Sequence, residues 1–282
     1  MQTIRQIDAL RRSVERLHDG GKRVALVPTM GALHAGHMAL IKCAREAADH
    51  VVVSIFVNPK QFGAGEDLSR YPRQVEADSA MLEAAGVAVL WLPSVEEMYP
   101  SGFATNVSVV GLGDGLCGAT RPGHFDGVAT VVAKLFTQVR PDVAIFGEKD
   151  WQQLVVIRRI TTDLNLGVEI IGAPTARDAD GLALSSRNAY LSAEERIAAQ
   201  FLAASLKSAG LAIEAGAAVK GALETVAKAL KAAGFGPIDY VALVDPVTLT
   251  PLDSLKTEAR ILAAARLGTT RLIDNFAVSP KN

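Results

Sequence analysis

The first 174 residues alternate between short apolar runs and longer segments in which apolar residues recur at helical spacing. Buried strands are predicted at the apolar runs, namely 23–27, 51–57, 87–92, 105–110, 142–146 and 168–171. Amphipathic helices are predicted between these runs, at 38–49, 75–85, 127–139 and 151–164. Because alternating strands and helices form a mostly parallel sheet covered on both faces, this half predicts a doubly wound, Rossmann-like α/β fold.

The pattern changes after Pro174. Residues 176–192 are polar and loop-like, and two long alanine-rich helical segments follow at 193–215 and 218–232. Three short apolar runs, at 239–244, 259–264 and 270–274, predict strands. Helices grouped apart from a small set of strands are typical of an α+β domain. We therefore expect two domains, 1–174 and 175–282, of which the second is the smaller.

Composition and charge narrow the class of protein. A chain of 282 residues with 49% hydrophobic and 21% charged residues is typical of a globular protein with a full core. Its net charge of −1 argues against a nucleic-acid partner, which would require many cations for its phosphates. Cys43 and Cys117 lack the spacing of a disulfide framework or a zinc site. Without a membrane-spanning apolar run or the apolar core of a signal peptide, we expect a cytoplasmic protein.

The turn after the first predicted strand contains His34 and His37, separated by Ala-Gly. On the first turn of a helix, this spacing puts both imidazoles on one side. The helix N-terminus adds unpaired N–H groups that favour phosphate, and Gly36 lets a flat ring approach the backbone. The competing interpretation is a helix cap beside an ordinary surface histidine. Because the motif directly follows a buried strand, we favour a nucleotide site.

Further polar segments lie near the ends of the predicted strands, and in a parallel sheet such loops share one edge. Asn58 and Gln61 offer uncharged donors and acceptors that suit a hydroxyl or a carboxylate. An Asn-Pro turn with a solvated glutamine is the alternative. Arg121 and His124 precede a predicted helix and are candidates to face an anion there. The alternative is a helix start with an incidental arginine.

Two more segments offer phosphate ligands. Lys149 lies beside a predicted helix N-terminus, with Gln153 one turn further on, although a surface ion pair would also explain the lysine. The Ser-Ser-Arg sequence at 185–187 combines two hydroxyls with the planar donor fork of a guanidinium. A serine-rich linker is the alternative. At a domain junction, such a loop also suits a closing lid.

Together, these five segments resemble the pantothenate synthetase, or pantoate–β-alanine ligase, family. The matching motifs are 28–37, 56–62, 121–128, 146–153 and 180–188, in the family's order and spacing. The similarity continues to Asp239 and covers nearly the whole chain. The His-x-Gly-His motif alone marks a large superfamily of nucleotidyl-transferring enzymes, whereas the five motifs together are specific. Only Leu184, a methionine in some relatives, differs conservatively.

The resemblance implies a two-step ligation. The carboxylate of pantoate attacks the α-phosphorus of ATP, and the amine of β-alanine then attacks the resulting pantoyl adenylate, releasing AMP and pantothenate. The implied catalytic residues are His34, His37 (the proton donor), Lys149, Ser185, Ser186 and Arg187. The implied ATP contacts are Met30, Gly31, Ala32, Leu33, His34, Ala35, Gly36, His37, Gly147, Glu148, Lys149, Asp150, Ala176, Leu184, Ser185, Ser186 and Arg187. The implied pantoate and β-alanine contacts are Gln61 and Gln153, with Asn58, Arg121 and His124 as further candidates.

The implied cofactor chemistry and assembly follow from the same resemblance. Magnesium is expected to accompany ATP, held mainly by the phosphates, and its protein ligands remain unassigned. Asp78 is equally a candidate ligand and a solvated carboxylate. Since an acyl adenylate hydrolyses when water reaches it, the second domain, hinged near Pro174, is expected to act as a lid. Family members are typically homodimers.

Three other functions remain open. An adenylyltransferase acting on another small acceptor explains the histidine motif but not the amides of Asn58, Gln61 and Gln153. A class I aminoacyl-tRNA synthetase shares the histidine motif, but this chain lacks a basic charge excess and a tRNA-binding module. A non-catalytic nucleotide sensor would bind ATP without the full set of phosphate ligands.

Overall fold

The computed structural model describes residues 1–281, which contain two sheets. The first sheet consists of β1 Gln2–Ile4, β2 Val24–Thr29, β3 His50–Ile55, β4 Val89–Trp91, β5 Val143–Gly147 and β6 Glu169–Ala173. The strands lie in the order β1-β4-β3-β2-β5-β6, and all neighbouring pairs are parallel. The strand order reverses between β2 and β5, and ligands of such sheets bind beyond the carboxyl ends of the strands at this reversal.

Helices cover both faces of the first sheet. They are α1 Ile7–Leu17, α2 Ala35–Ala47, α3 Val75–Ala84, α4 Val95–Met98, α5 Cys117–Thr120, α6 His124–Val139 and α7 Trp151–Asp163. One face packs into a core with α1, α6 and α7, and the other packs with α2 and α3. The predicted doubly wound α/β fold is therefore confirmed.

The C-terminal part is a three-stranded antiparallel sheet packed against two helices. Its elements are α8 Ala193–Glu214, α9 Val219–Ala232, β7 Phe235–Val244, β8 Ala259–Leu267 and β9 Thr270–Val278. Leu202 and Leu206 of α8 pack with Ile261 and Ala263 of β8 in one core. This confirms the predicted α+β character. The three strands are longer than predicted. In β7, Gly236 and Pro237 interrupt the apolar pattern, so its first residues were not predicted.

The strand predicted at 105–110 is wrong. This segment is irregular, and the N–H of Val107 donates to Thr130 Oγ1 of α6 at 2.9 Å. Val107 and Val109 pack against the core, whereas Val110 is 91% exposed. Apolar alternation here reflects contact with one helix instead of membership in the sheet. The sheet edge beside β4 is occupied by β1, whose three residues are too few to give an apolar run.

Arginine side chains join the C-terminal sheet to the segment after β6 and to α7. Arg177, just after β6, donates to both carboxylate oxygens of Asp274 on β9, at 2.6 and 2.8 Å. Asp274 is only 2% exposed, and the same guanidinium lies 4.2 Å from the Phe276 ring. Arg260 of β8 lies 3.5 Å from the ring of Trp151 on α7. Within residues 1–281, no helix is long and apolar enough to cross a membrane.

We expect Arg177→Ala to lower the free energy of unfolding by about 3 kcal/mol, because it leaves the buried carboxylate of Asp274 without its partner. Urea denaturation followed by circular dichroism measures this change. Arg159→Ala is the matched control, since its ion pair with Asp163 is exposed and should contribute under about 1 kcal/mol. Equal losses in the two variants would contradict the prediction.

Candidate active site

A cavity of about 240 Å³ opens at the carboxyl ends of β2 and β5. Most of the predicted site residues line it, although they come from five separate segments. They are Met30, His34, Gly36, His37, Asn58, Gln61, Arg121, His124, Gly147, Lys149, Asp150, Gln153, Ala176, Leu184, Ser185, Ser186 and Arg187. The predicted ATP contacts that do not line this cavity are Gly31, Ala32, Leu33, Ala35 and Glu148.

Some of these remaining residues hold the wall of the cavity in place. The N–H groups of Ala32 and Leu33 donate to the two oxygens of Asp78, at 2.9 and 2.8 Å, and the Ala32 carbonyl accepts from Ser186 Oγ at 3.1 Å. Asp78 is 1% exposed. It is therefore not a solvated carboxylate, and both of its oxygens accept backbone hydrogen bonds. Glu148 accepts a hydrogen bond from Arg260 at 3.0 Å.

The two histidines lie at the start of α2, with ring centroids 4.1 Å apart. His34 is the N-cap residue, and its Nδ1 accepts from the N–H of Gly36 at 3.1 Å. His37 Nδ1 accepts from the N–H of His34 at 3.3 Å. Since each Nδ1 accepts a hydrogen bond, the neutral rings carry their protons on Nε2. The same two histidines thus cap the start of α2 and offer their Nε2 donors to the cavity. A Cβ atom at Gly36 would lie 2.8 Å from the His34 ring, which explains the glycine.

Burial and neighbouring charge keep this pair neutral. Burial, the nearby His34 ring and the charge of Lys149 lower the pKa of His37 to about 3. Burial and Lys149 also lower the pKa of His34. At neutral pH both rings are therefore uncharged hydrogen-bond donors.

Asn58 connects the end of β3 to Gln61. It is 1% exposed, and its amide nitrogen donates to Gln61 Oε1 at 3.0 Å and to the Gly127 carbonyl at 3.1 Å. Its Oδ1 accepts from the N–H of Lys60 and from the hydroxyl of Tyr99. All the hydrogen bonds that this amide can make are thus within the protein, and Asn58 fixes the side chain of Gln61. Gly127 permits this contact, because a Cβ there would overlap the Lys60 carbonyl.

Arg121 and His124 contact the backbone of the same segment. Arg121 Nε and Nη2 donate to the two oxygens of Glu66, at 2.6 Å each, and its Nη1 lies 2.8 Å from His124 Nε2. His124 Nδ1 and Arg121 Nη2 both lie near the carbonyl oxygen of Gln61, at 2.8 and 3.2 Å. Burial opposes the ionisation of Glu66, but the hydrogen bonds and charge of Arg121 lower its pKa to about 2. Arg121 is therefore paired with the ionised carboxylate of Glu66.

The other predicted phosphate ligands face the cavity from two loops. Lys149 Nζ donates to Asp150 at 3.1 Å, and Asn275 on β9 holds the carbonyl groups of residues 148 and 149. Arg187 donates from Nε and Nη2 to the two oxygens of Asp67, at 2.9 Å each. Its Nη1 lacks a hydrogen-bond partner among the described residues, so this part of the fork remains available for a ligand.

A family model described as pantoate-β-alanine ligase matches residues 2–277 of this chain. The chain belongs to the pantoate–β-alanine ligase family. It is 59% identical over 278 residues to the pantothenate synthetase of Sphingopyxis alaskensis, with 99% of this chain and 100% of that protein covered. It is 60% identical over 280 residues to the pantothenate synthetase of Rhizorhabdus wittichii, with 99% of each covered.

Solved structures give the same family. The pantothenate synthetase of Thermus thermophilus is 50% identical, with a TM-score of 0.94 and coverage of 99% of this chain and 100% of that one. The pantoate-β-alanine ligase of Francisella tularensis, solved with β-γ ATP and β-alanine, is 34% identical, with a TM-score of 0.83 and coverage of 98% and 97%. The predicted family, the ligase activity and ATP-dependent pantothenate synthesis are confirmed.

Two kinds of residue in this ligase were not predicted from its sequence. Glu66 and Asp67 were not predicted, because their arginine partners lie 55 and 120 positions further along the chain. The apolar floor of the cavity was also missed. Val131, Val132 and Leu135 of α6 line it, and their helical spacing had indicated only a core helix. A long buried helix that starts at a polar motif was the available signal.

We expect the His37 ring of the ligand-free ligase to remain neutral down to about pH 4, with its proton on Nε2, because its pKa is lowered to about 3. Nitrogen-15 NMR of the imidazoles measures both the titration and the tautomer, and His37→Gln identifies the resonances. Bound ATP should raise this pKa, since phosphate charge favours imidazolium. A titration near 6.5 in the ligand-free protein, the ordinary value for histidine, would contradict the prediction.

Proposed function

We propose that this cavity catalyses both steps of pantothenate synthesis, through a pantoyl adenylate. The observation that supports this proposal is the combination of polar groups in one cavity. The cations Lys149 and Arg187 and the two neutral histidines line it, and so do the uncharged amides of Gln61 and Gln153. A triphosphate requires positive charge and hydrogen-bond donors, whereas a hydroxy acid that must stay nucleophilic requires uncharged ligands. This cavity has groups for both.

The phosphate groups of ATP would bind between α2 and the loop 185–187. His34 and His37 would donate from Nε2, Lys149 would supply a positive charge, and Arg187 would donate from Nη1. As the bond to the α-phosphorus breaks, negative charge moves onto the departing pyrophosphate, and preorganised donors stabilise that charge. The charge of ATP would raise the pKa of His37, so that a larger fraction of the ring would carry the proton that it is expected to donate.

Pantoate would bind with its carboxylate and hydroxyls at the amides of Gln61 and Gln153. Neutral amides hold a carboxylate without reducing its nucleophilicity, as a paired cation would. The apolar floor formed by Val131, Val132 and Leu135 suits the two methyl groups of pantoate. Asn58, Arg121 and His124 would act by fixing Gln61, instead of by contacting the substrate as predicted from the sequence.

In the second step, the neutral amine of β-alanine would attack the acyl carbon of the adenylate. A carbon–nitrogen bond forms, the bond from the acyl carbon to the phosphate oxygen breaks, and AMP leaves with that electron pair while the amine loses a proton. The Francisella ligase solved with β-γ ATP and β-alanine supports a cavity that accepts both substrates.

We propose that magnesium enters with ATP. The described residues contain no group of three histidine, cysteine or acidic side chains arranged to hold a metal ion. Asp150 lines the cavity beside Lys149, and it would be the protein carboxylate nearest to the phosphates. Magnesium commonly binds through substrate phosphates and water with one or two carboxylates, which fits this set.

We also propose that the chain divides into two domains near Pro174 and that the second domain acts as a lid. The first sheet ends at Ala173, and the serine loop that follows connects to the C-terminal part. Pro174, Thr175 and Ala176 of this junction line the cavity of about 240 Å³. Movement of residues 175–282 about the junction would open and close it.

We further propose a homodimer in the cytoplasm, as the family resemblance implies. The irregular segment 105–110, with Val110 91% exposed, is available for a subunit contact. Sedimentation velocity would measure the assembly.

The adenylyltransferase alternative is disfavoured because Arg121, whose guanidinium contacts the Gln61 carbonyl, is already paired with Glu66 and is not free for an acceptor phosphate.

We expect pyrophosphate to be released stoichiometrically when ATP, magnesium and pantoate are mixed with the ligase, and continuously once β-alanine is added. A coupled phosphatase assay measures the release, and chromatography identifies AMP and pantothenate. Lys149→Met should slow the burst by about 100-fold or more, because it removes a charge that stabilises the leaving group. Lys42→Met, an exposed lysine on α2, is the control. ATP binding without pantoate-dependent pyrophosphate would support the sensor instead.

We expect Glu66→Gln to raise the KM for pantoate several-fold, with a smaller change in the KM for ATP, because Arg121 and the Gln61 carbonyl lose their fixed positions. Steady-state kinetics with each substrate varied measures the difference. Glu96→Gln, at an exposed glutamate, is the control for loss of a carboxylate. Equal increases for pantoate and ATP would contradict a role through Gln61.

A further inference from the structure

A second cavity of about 120 Å³ adjoins the candidate active site. The two cavities share a wall formed by Arg121, Lys149, Asp150, Ser185 and Arg187. Its other lining residues include Arg266 and residues 269–273, around the turn from β8 to β9, and residues 65–67 and 70. Its volume leaves room for a small anion.

Cations exceed acids around this second cavity. The cationic side chains that line it are Arg70, Arg121, Lys149, Arg187, Arg266 and Arg271. The acidic ones are Glu66, Asp67 and Asp150, so six positive charges face three negative charges. Such an excess attracts anions.

Two of these arginines are not paired with an acid. Arg121, Lys149, Arg187 and Arg271 each have a carboxylate partner within 3.1 Å. Among residues 1–281, no carboxylate lies within 4.0 Å of the guanidinium of Arg70 or Arg266. Arg266 has only a 3.5 Å hydrogen bond to the Thr269 carbonyl, and Arg70 lies 5.9 Å from the Tyr190 ring. Unpaired guanidinium groups suit phosphate oxygens.

The direction in which pyrophosphate leaves in the first chemical step connects the second cavity to the reaction. The attacking carboxylate and the leaving pyrophosphate lie on opposite sides of the α-phosphorus. Under the proposed function, pantoate lies at Gln61 and Gln153, and the phosphates contact Lys149, Ser185 and Arg187. These three phosphate ligands form part of the wall shared with the second cavity. Pyrophosphate therefore departs toward that wall.

We propose that the second cavity binds departing pyrophosphate and is its route of exit, with Arg266 and Arg70 as ligands. This inference rests on the proposed function. It explains how one product leaves while the adenylate stays protected, since the exit is lateral and need not open the adenylate site to water. AMP, the product that leaves second, would not use these two arginines.

The test measures product inhibition of the intact ligase. Steady-state pantothenate formation is followed with added pyrophosphate or, separately, added AMP, for the unmodified protein, Arg266→Gln and Arg70→Gln. We expect the inhibition constant for pyrophosphate to rise about tenfold in Arg266→Gln and less in the more exposed Arg70→Gln, because a charge-assisted hydrogen bond is lost. The constant for AMP should change less than twofold. Arg159→Gln, at an exposed arginine of α7, is the control for lost charge.

The outcomes separate this inference from the function on which it rests. Unchanged pyrophosphate inhibition in both variants, together with a normal pantoate-dependent burst, would overturn the exit site alone. Equal weakening of pyrophosphate and AMP inhibition would also overturn it, because the arginines would then affect the whole site. A missing burst in the unmodified protein would overturn the proposed function, and the exit site with it.

Discussion

The site depends on the hydrogen bonds of one buried carboxylate. Asp78 of α3 accepts from the N–H groups of Ala32 and Leu33, and Ala32 has a φ of 52°, which is uncommon for a residue with a side chain. These bonds hold the turn that leads from β2 into α2. That turn aims both histidines into the cavity, and its Ala32 carbonyl holds Ser186 of the opposite loop. Both sides of the phosphate site are therefore positioned from one carboxylate.

The sequence predicts the parts of this arrangement that depend on local pattern. Buried strands, the helix that follows His34 and the position of polar loops at strand ends all follow from periodicity and turn residues, and five short motifs identified the family. Partners distant in sequence were not predictable in the same way. Asp78 could not be assigned, because its partners lie 46 and 45 positions earlier. The strand prediction at 105–110 was wrong because alternating apolar residues indicate only that one side of a segment is buried. Packing against a helix buries one side as well as pairing in a sheet does.

The cations of the empty cavity are compensated by the protein itself. Arg187 is paired with Asp67, Lys149 with Asp150, and Arg121 with Glu66. Without ATP, uncompensated charges in a half-buried cavity would repel one another and destabilise the fold. The three pairs differ in what they leave free. Arg187 keeps Nη1 for a ligand, whereas every donor group of Arg121 is directed at Glu66, His124 or the Gln61 carbonyl.

Under the proposed function, this difference affects the reactivity of pantoate. A free guanidinium beside Gln61 would pair with the pantoate carboxylate and reduce its reactivity toward phosphorus. Glu66 removes that option by neutralising Arg121, while the geometry of the arginine still fixes the Gln61 backbone. Glu66 thus stabilises the loop and, under the proposed function, would prevent Arg121 from pairing with the attacking carboxylate. Under the proposed function, the Nη1 group of Arg187, which Asp67 does not use, would be the donor left for the departing pyrophosphate.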